Sequence, residues 1–208
     1  TMEDGPELEE NDLLLAVGGD GTMLRAGRLG ARFGCPVFGV NLGRLGFLPQ
    51  AQLDDWPEAI SRMVSGDFWL EDRMMVVAEH WRDGICMSRY HALNEIVVTR
   101  GALARPLRLE ARIDSSPLTT YMADGLIIST PTGSTAYALA AGGPILPPDL
   151  RNLMMIPIAP HLSIDRAIVL AEGTTIDITV YTDHEAILSA DGQTEIKLQD
   201  TDRVQVRA

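Results

Sequence analysis

Two hydrophobic periodicities divide the chain. Residues 12–17, DLLLAV, form a short apolar run that reads as a strand, and over 22–33 the positions Met23, Leu24, Leu29 and Phe33 fall near helical spacing with arginines between them. Residues 35–40, CPVFGV, read as the next, parallel strand. Strand, glycine turn, helix and strand in that order make a βαβ unit, so the first third is α/β. A glycine-punctuated loop, NLGRLGFL at 41–48, follows. Residues 53–66 then return to helical spacing at Trp56, Ile60 and Met63, with a stop at Gly66.

Beyond residue 68 the period changes to two. It is clearest in 107–113, LRLEARI, in 175–181, TIDITVY, and in 203–207, RVQVR, which read as half-buried strands. Further strands are expected near 73–80, 85–90, 93–99, 126–129, 153–158 and 186–190. The pattern predicts an α/β N-terminal domain over 1–68, Rossmann-like with a parallel sheet, and a mainly-β, β-sandwich-like C-terminal domain over 69–208. One interruption stands out. Residues 130–144, TPTGSTAYALAAGGP, begin with capping residues, hold a short alanine-rich helix and end in Gly-Gly-Pro. A helix start of this kind offers exposed backbone N–H groups. Residues 1–11, acidic and carrying Gly5 and Pro6, read as a mobile end or linker.

Composition narrows the partners. With 29 acidic against 17 basic side chains the formal charge is -12, which opposes attraction to nucleic-acid phosphates or an anionic membrane surface. Small-molecule partners are favoured. Lys197 is the one lysine among these residues, so arginine must serve any phosphate. Cys35 and Cys86 have neither metal-ligand spacing nor the density of a disulfide scaffold, and both read as core residues of a protein in a reducing cytoplasm. No apolar stretch reaches the ~20 residues of a membrane span, and the first residues lack the basic start of a signal peptide. A soluble, cytoplasmic protein is expected.

Four stretches are candidates for chemistry. In GGDGT, residues 18–22, glycines at a strand-to-helix turn let backbone amides approach phosphates, and the helix dipole favours their charge. Asp20 complicates that picture. A carboxylate there is repelled by polyphosphate unless magnesium intervenes, or it faces a hydroxyl whose proton it accepts during phosphoryl transfer. The alternative is a strand-end turn with Asp20 as helix N-cap. A Walker A loop and the GxGxxG fingerprint are both absent. Asn94-Glu95, at a strand start, would suit ribose hydroxyls or an adenine edge, or form a solvated strand end. Residues 123–137, ADGLIISTPTGSTAY, put Asp124 before a strand and Tyr137 on the first turn of the helix, where its ring would cover a flat base or a nicotinamide. Residues 189–193, SADGQ, read alone as an ordinary turn.

Taken in order, GGDGT, NLGRLGFL, NE, DGLIISTPTGSTAY, AGGPI and DGQ make the sequence resemble the NAD kinases, of the ATP-dependent and the inorganic polyphosphate/ATP-dependent kinds and of bacterial type. That family phosphorylates the 2'-hydroxyl of the adenosine ribose of NAD to give NADP. GGDGT is shared with lipid kinases and partly with phosphofructokinases; TPTGSTAY makes the match specific. The resemblance covers nearly the whole chain from Asp12. It implies a nucleotide site between the two domains, with Asp20 as proton acceptor and Gly21 beside it. Around NAD it places Asn94, Glu95, Asp124, Thr135, Ala136, Tyr137, Ala138, Leu139 and Ala140, with Gln193 completing the site. Arg25 and Arg105 occupy positions that contact the dinucleotide in relatives, and a surface charge is the alternative for each. The implied ligands are NAD, ATP or polyphosphate, and magnesium or another divalent cation. A homodimer or homotetramer is implied, its neighbouring subunits completing the NAD site.

The chain also departs from the family pattern. Relatives begin with a further strand and helix and continue past Ala208, so truncation at both ends is expected. Met122 stands where relatives often carry a basic residue, Ser163 where they commonly have Leu, and Ala167 where they have Pro. His161 and Arg166 therefore read as scaffold. The rival functions are a lipid kinase of the diacylglycerol or sphingosine type sharing GGDGT, and a non-catalytic dinucleotide-binding regulatory protein.

Overall fold

The fold comes from a computed structural model that describes residues 13–43, 46–161 and 164–208. The chain divides into two compact units, Thr1–Glu71 and Asp72–Ala208. The acidic segment 1–11, Asp12, Arg44, Leu45 and Ser163 lie outside the described residues.

In the first unit, β1 (Leu14–Val17) leads into α1 (Asp20–Phe33), followed by β2 (Val37–Asn41), the two-residue β3 (Ala51–Gln52) and α2 (Trp56–Val64). The strands form a parallel sheet in the order β1-β2-β3. Met23 and Ala26 of α1 bury against Ala16, with Leu14, Val37 and Leu48 closing the cluster. The apolar run of β1 is not buried throughout: Leu13, Leu15 and Val17 are exposed and Ala16 alone is buried there. α2 is shorter than its spacing predicts. It begins only at Trp56, with Pro57 in its first turn, where a proline's missing N–H is harmless.

The second unit opens with β4 (Val76–Arg82), β5 (Ile85–Ala92), β6 (Glu95–Arg100), β7 (Leu107–Ile113), β8 (Ser116–Ala123) and β9 (Gly125–Ser129). A 3-10 turn at Thr132–Thr135 precedes α3 (Tyr137–Ala140). Then come β10 (Asn152–Ile158), β11 (Ile168–Ala171), β12 (Ile176–Tyr181), β13 (Ala186–Ala190), β14 (Thr194–Leu198) and β15 (Arg203–Arg207). Two six-stranded antiparallel sheets result, ordered β11-β10-β9-β6-β13-β14 and β5-β4-β15-β12-β7-β8. Their facing apolar positions, including Ile96, Val98, Leu126 and Ile128 from one and Leu107, Leu109, Ile176 and Val204 from the other, make one core. This is the layered, β-sandwich-like arrangement read from the period-two pattern.

The middle of the first sheet is buried on its other face too. Val97, Ile127, Met154 and Ile156 lie there with Ala138 of α3. For this reason 126–128, Leu-Ile-Ile, shows no alternation. Three strands of the second unit that the pattern did not predict, β8, β11 and β14, are all sheet edges, where polar residues and Pro117 are tolerated. Cys86 corrects another expectation: it is exposed on the edge strand β5, whereas Cys35 is buried. Just before β15, buried Asp202 accepts Arg82 at 2.8 and 2.7 Å and the Gln199 N–H at 2.8 Å, with His80 Nε2 also 2.8 Å away. Burial alone would raise the pKa of Asp202, but Arg82, Gln199 and His80 outweigh it and hold the carboxyl well below its usual range.

Candidate nucleotide site

The GGDGT turn joins β1 to α1. Gly19, not Asp20, holds the N-cap position, and Asp20 is the first helical residue, so the N-cap alternative is corrected. A carboxylate in the first turn is favoured by the helix dipole. Asp20 is half-buried, and its two oxygens accept backbone N–H groups from the 41–48 loop: Phe47 to Oδ2 at 3.3 Å and Leu48 to Oδ1 at 3.0 Å. Gly21 follows on the exposed side of the helix. Arg25, one turn further, is exposed, and its guanidinium lies 3.5 Å from Thr22 Oγ1. Asn41 closes β2, buried, and accepts the Gly43 N–H through Oδ1.

In the second unit Asn94 and Glu95 are 8% and 6% exposed at the start of β6, which overturns the solvated strand end. Polar groups of two neighbouring turns bond the backbone on which they sit. Asp191, itself buried in the β13–β14 turn, accepts the N–H groups of Leu93 at 3.0 Å, Asn94 at 2.8 Å and Glu95 at 3.2 Å. Its own N–H donates to the Glu95 carbonyl. From the other side Thr130 donates its hydroxyl to the Leu93 carbonyl at 2.6 Å and its N–H to the Asn94 carbonyl at 2.8 Å. Gly133 then passes so close that a β-carbon there would stand 2.1 Å from the Asn94 carbonyl oxygen.

This approach reshapes the 130–144 stretch. The expected single helix is a 3-10 turn, a break at Ala136 and one turn of α3. Its leading N–H groups are not offered to a ligand as expected. Gly133 donates to Thr130 Oγ1 and Ser134 to the Pro131 carbonyl, and both residues are buried. Thr135 and Ala136 are half-buried, Ala138 is buried, and Tyr137, Leu139 and Ala140 are exposed. The Tyr137 N–H is directed at the Glu95 carboxylate.

Two acceptor atoms of the Asn94-Glu95 pair are left over. Asn94 Oδ1 and Glu95 Oε2 are buried and have no hydrogen-bond partner among the described residues. A buried oxygen without a partner costs on the order of 1–3 kcal/mol, so such a pair is kept where a ligand supplies the donors. Burial first, and the Asp191 charge second, push the Glu95 carboxyl up to about 7, against the Tyr137 N–H. Folding therefore favours the protonated acid. The stability this provides is whole below pH 4.5 and is lost as pH rises through about 7, a change on the order of 3 kcal/mol. Glu95→Gln is accordingly expected to melt higher than the natural chain at about pH 8, with the gain shrinking toward about pH 5.5. Thermal melts across that range check it, and a gain independent of pH would contradict the assignment.

Gln193 ends the hairpin turn, half-buried, its N–H on the Ala190 carbonyl. Asp124 is elsewhere. Glu95 pairs with Ser129 and Thr99 with Gly125, so Asp124 lies at the opposite end of the strand pair, roughly 16 Å away at ~3.3 Å per residue. There Arg100 Nε stands 3.1 Å from it. Arg105 follows the same end of β6, exposed, with Asp183 at 3.7 Å. Met122 is exposed, and its carbonyl accepts the His161 N–H; His161 and Arg166 are exposed as well. Within one chain the structure thus gathers Asn94, Glu95, Gln193 and the 135–140 turn, but neither Asp124 nor Arg105. Residues that sequence reasoning missed are Asp191, Thr130 and the Phe47 and Leu48 amides. Asp191 and Thr130 lay inside quoted motifs, but their work is done on backbone atoms that a sequence does not display.

An α/β unit followed by an antiparallel double sheet is the architecture of a class of two-domain dinucleotide kinases. The fold matches a yeast NADH kinase solved with NADH at a TM-score of 0.87 and 32% identity, covering 96% of this chain and 59% of that one. It also matches an NAD kinase from Archaeoglobus fulgidus in complex with ATP, at 0.77 and 31%, covering 94% and 74%. Residues 6–68 match the ATP-NAD kinase N-terminal domain and 93–208 the ATP-NAD kinase C-terminal domain. The NAD kinase of Heliobacterium modesticaldum is 46% identical over 90% of this chain and 68% of its own length, and that of Chloroflexus aurantiacus 43% over 99% and 75%. The chain belongs to the NAD kinase family. Lipid-kinase and non-catalytic regulator readings are not favoured.

Proposed function

We propose that this chain transfers a phosphoryl group from ATP, or from another donor such as polyphosphate, to the 2'-hydroxyl of the adenosine ribose of NAD, giving NADP and contributing to NADP biosynthesis. In a chain of this family, the observation that carries the reading is the pair of buried, unpartnered oxygens, Asn94 Oδ1 and Glu95 Oε2. Ribose hydroxyls and an adenine amino group are the donors they need.

The second unit holds the dinucleotide, with Asn94 and Glu95 accepting from it, Tyr137 presenting its ring, and the 135–140 turn and Gln193 beside it. Asp20 of the first unit receives the proton of the 2'-hydroxyl. The freed oxygen forms its bond to the terminal phosphorus of the donor, the bond from that phosphorus to the leaving phosphate oxygen breaks, and with ATP the product is ADP. Gly21 and Arg25 stand on the same helix start, where backbone and guanidinium serve donor or dinucleotide phosphates. Magnesium, when bound, neutralises phosphate charge. Among the described residues no cluster of three or more metal-ligating side chains exists, and one carboxylate, Asp20, fits an ion carried mainly on the donor's phosphates.

Asp124 and Arg105, displaced to the far end of β6 and β9, have a use if a second copy brings them to a neighbour's site. A homodimer or homotetramer is the assembly we infer on that ground. Two free cysteines agree with a cytoplasmic enzyme, and no described helix is long and apolar enough to cross a membrane. The test is direct. Incubated with NAD, magnesium and a panel of donors, the protein is expected to form NADP, and a strong chelator to stop it. If no donor yields NADP, the reading is wrong.

A further inference from the structure

The Asp20 carboxylate is held from outside its own helix. Phe47 and Leu48 each give one backbone N–H to a different oxygen, at 3.3 and 3.0 Å. An ionised carboxylate has about four lone-pair sites, so two N–H donors fix its plane and leave acceptor capacity free. The neighbouring Gly46 bounds it on a further side. A β-carbon at Gly46 would lie 2.5 Å from Asp20 Oδ1 and 3.1 Å from its Cγ, with Pro49 Cδ at 3.2 Å. Only hydrogen fits there while the carboxylate keeps its place.

We propose that Gly46, with the amides of Phe47 and Leu48, is the positioning element of Asp20, setting the direction in which the carboxylate meets the acceptor hydroxyl. This rests on the phosphoryl-transfer reading above. It explains why a segment 26 to 28 residues from the helix start in sequence is folded onto it. Proton acceptance needs the reacting atoms within a few tenths of an ångström of their productive geometry, and two backbone donors on a short loop hold a side chain more tightly than mobile side chains do.

Gly46→Ala separates this role from a structural one. The atoms nearest an alanine β-carbon at Gly46 belong to the Asp20 carboxylate, so that side chain is what must give way first, with Pro49 Cδ next at 3.2 Å. The melting temperature is expected to stay near that of the natural chain while kcat falls about tenfold to a hundredfold and KM for NAD stays within about twofold. The 15N amide signals of Phe47 and Leu48 should move. They should move also in Asp20→Ala, which leaves the loop's own sequence intact. In an Asp20→Asn background the alanine should cost little more, since both changes act on one group. Unchanged kcat, unmoved amide signals or fully additive losses would each overturn the proposal. Should the natural chain itself form no NADP, it is the phosphoryl-transfer reading that falls, and the amide signals alone decide whether the loop holds Asp20.

Discussion

Asp20→Asn is expected to lose turnover by about a hundredfold or more while KM for NAD stays within a few-fold. The amide has the shape of the carboxylate and no capacity to take a proton at neutral pH. It also exchanges one oxygen for an NH2 group, so one of the Phe47 and Leu48 N–H groups meets a donor and the clamp is half lost. Both effects act on the reacting hydroxyl and neither on the Asn94–Glu95 pocket, which is why kcat and kcat/KM should fall together. Steady-state kinetics with NAD varied at saturating donor measure the split. A variant that keeps near-natural kcat would remove Asp20 from the proton-acceptor role. A variant whose KM rises while kcat holds would instead make Asp20 a dinucleotide contact.

The sequence is informative wherever side-chain pattern reports the environment. β7 and β15 have the bounds that alternation predicts, because one face of each strand meets the core and the other does not. β9 lost its alternation because both faces are covered, and it was still recognisable as a short apolar run. The edge strands β8, β11 and β14 escaped, since an edge needs neither an apolar face of full length nor two sets of backbone partners. The same distinction governs the site. Asn94 and Glu95 were visible as residue types, but not that they would be buried with Asp191 bonding their backbone. Nor was it visible that Asp124 lies a strand's length away, because register is a property of pairing, not of the DGLIIS segment alone. The 130–144 stretch misled for a related reason. Its capping residues are real, but Thr130 uses them on Leu93, Asn94 and Gly133, so the helix they announce is cut to a 3-10 turn and a single α turn.

Asp191→Ala is expected to be the most damaging single change in the second unit, lowering stability by about 3–5 kcal/mol and raising KM for NAD at least tenfold. Three buried N–H groups, of Leu93, Asn94 and Glu95, share its carboxylate, and alanine would leave all three without that acceptor. Residue 191 also sits at a φ of 52°, a left-handed conformation that aspartate and asparagine tolerate and alanine resists at a cost of about 1 kcal/mol. An opposing effect limits the loss. The Asp191 charge helps hold the Glu95 carboxyl up to about 7, so its removal lowers that pKa and relieves repulsion once Glu95 ionises. Comparison with Asp191→Asn separates the contributions: asparagine keeps the turn and one acceptor oxygen, removes the charge, and should fall between the natural chain and alanine in stability. If the residue serves only the fold, KM in Asp191→Asn will match the natural chain once the protein is folded. If it sets the Asn94–Glu95 backbone for the dinucleotide, KM will rise in both variants with kcat little changed, and the pH dependence of NAD affinity will shift toward acid as Glu95 becomes easier to ionise.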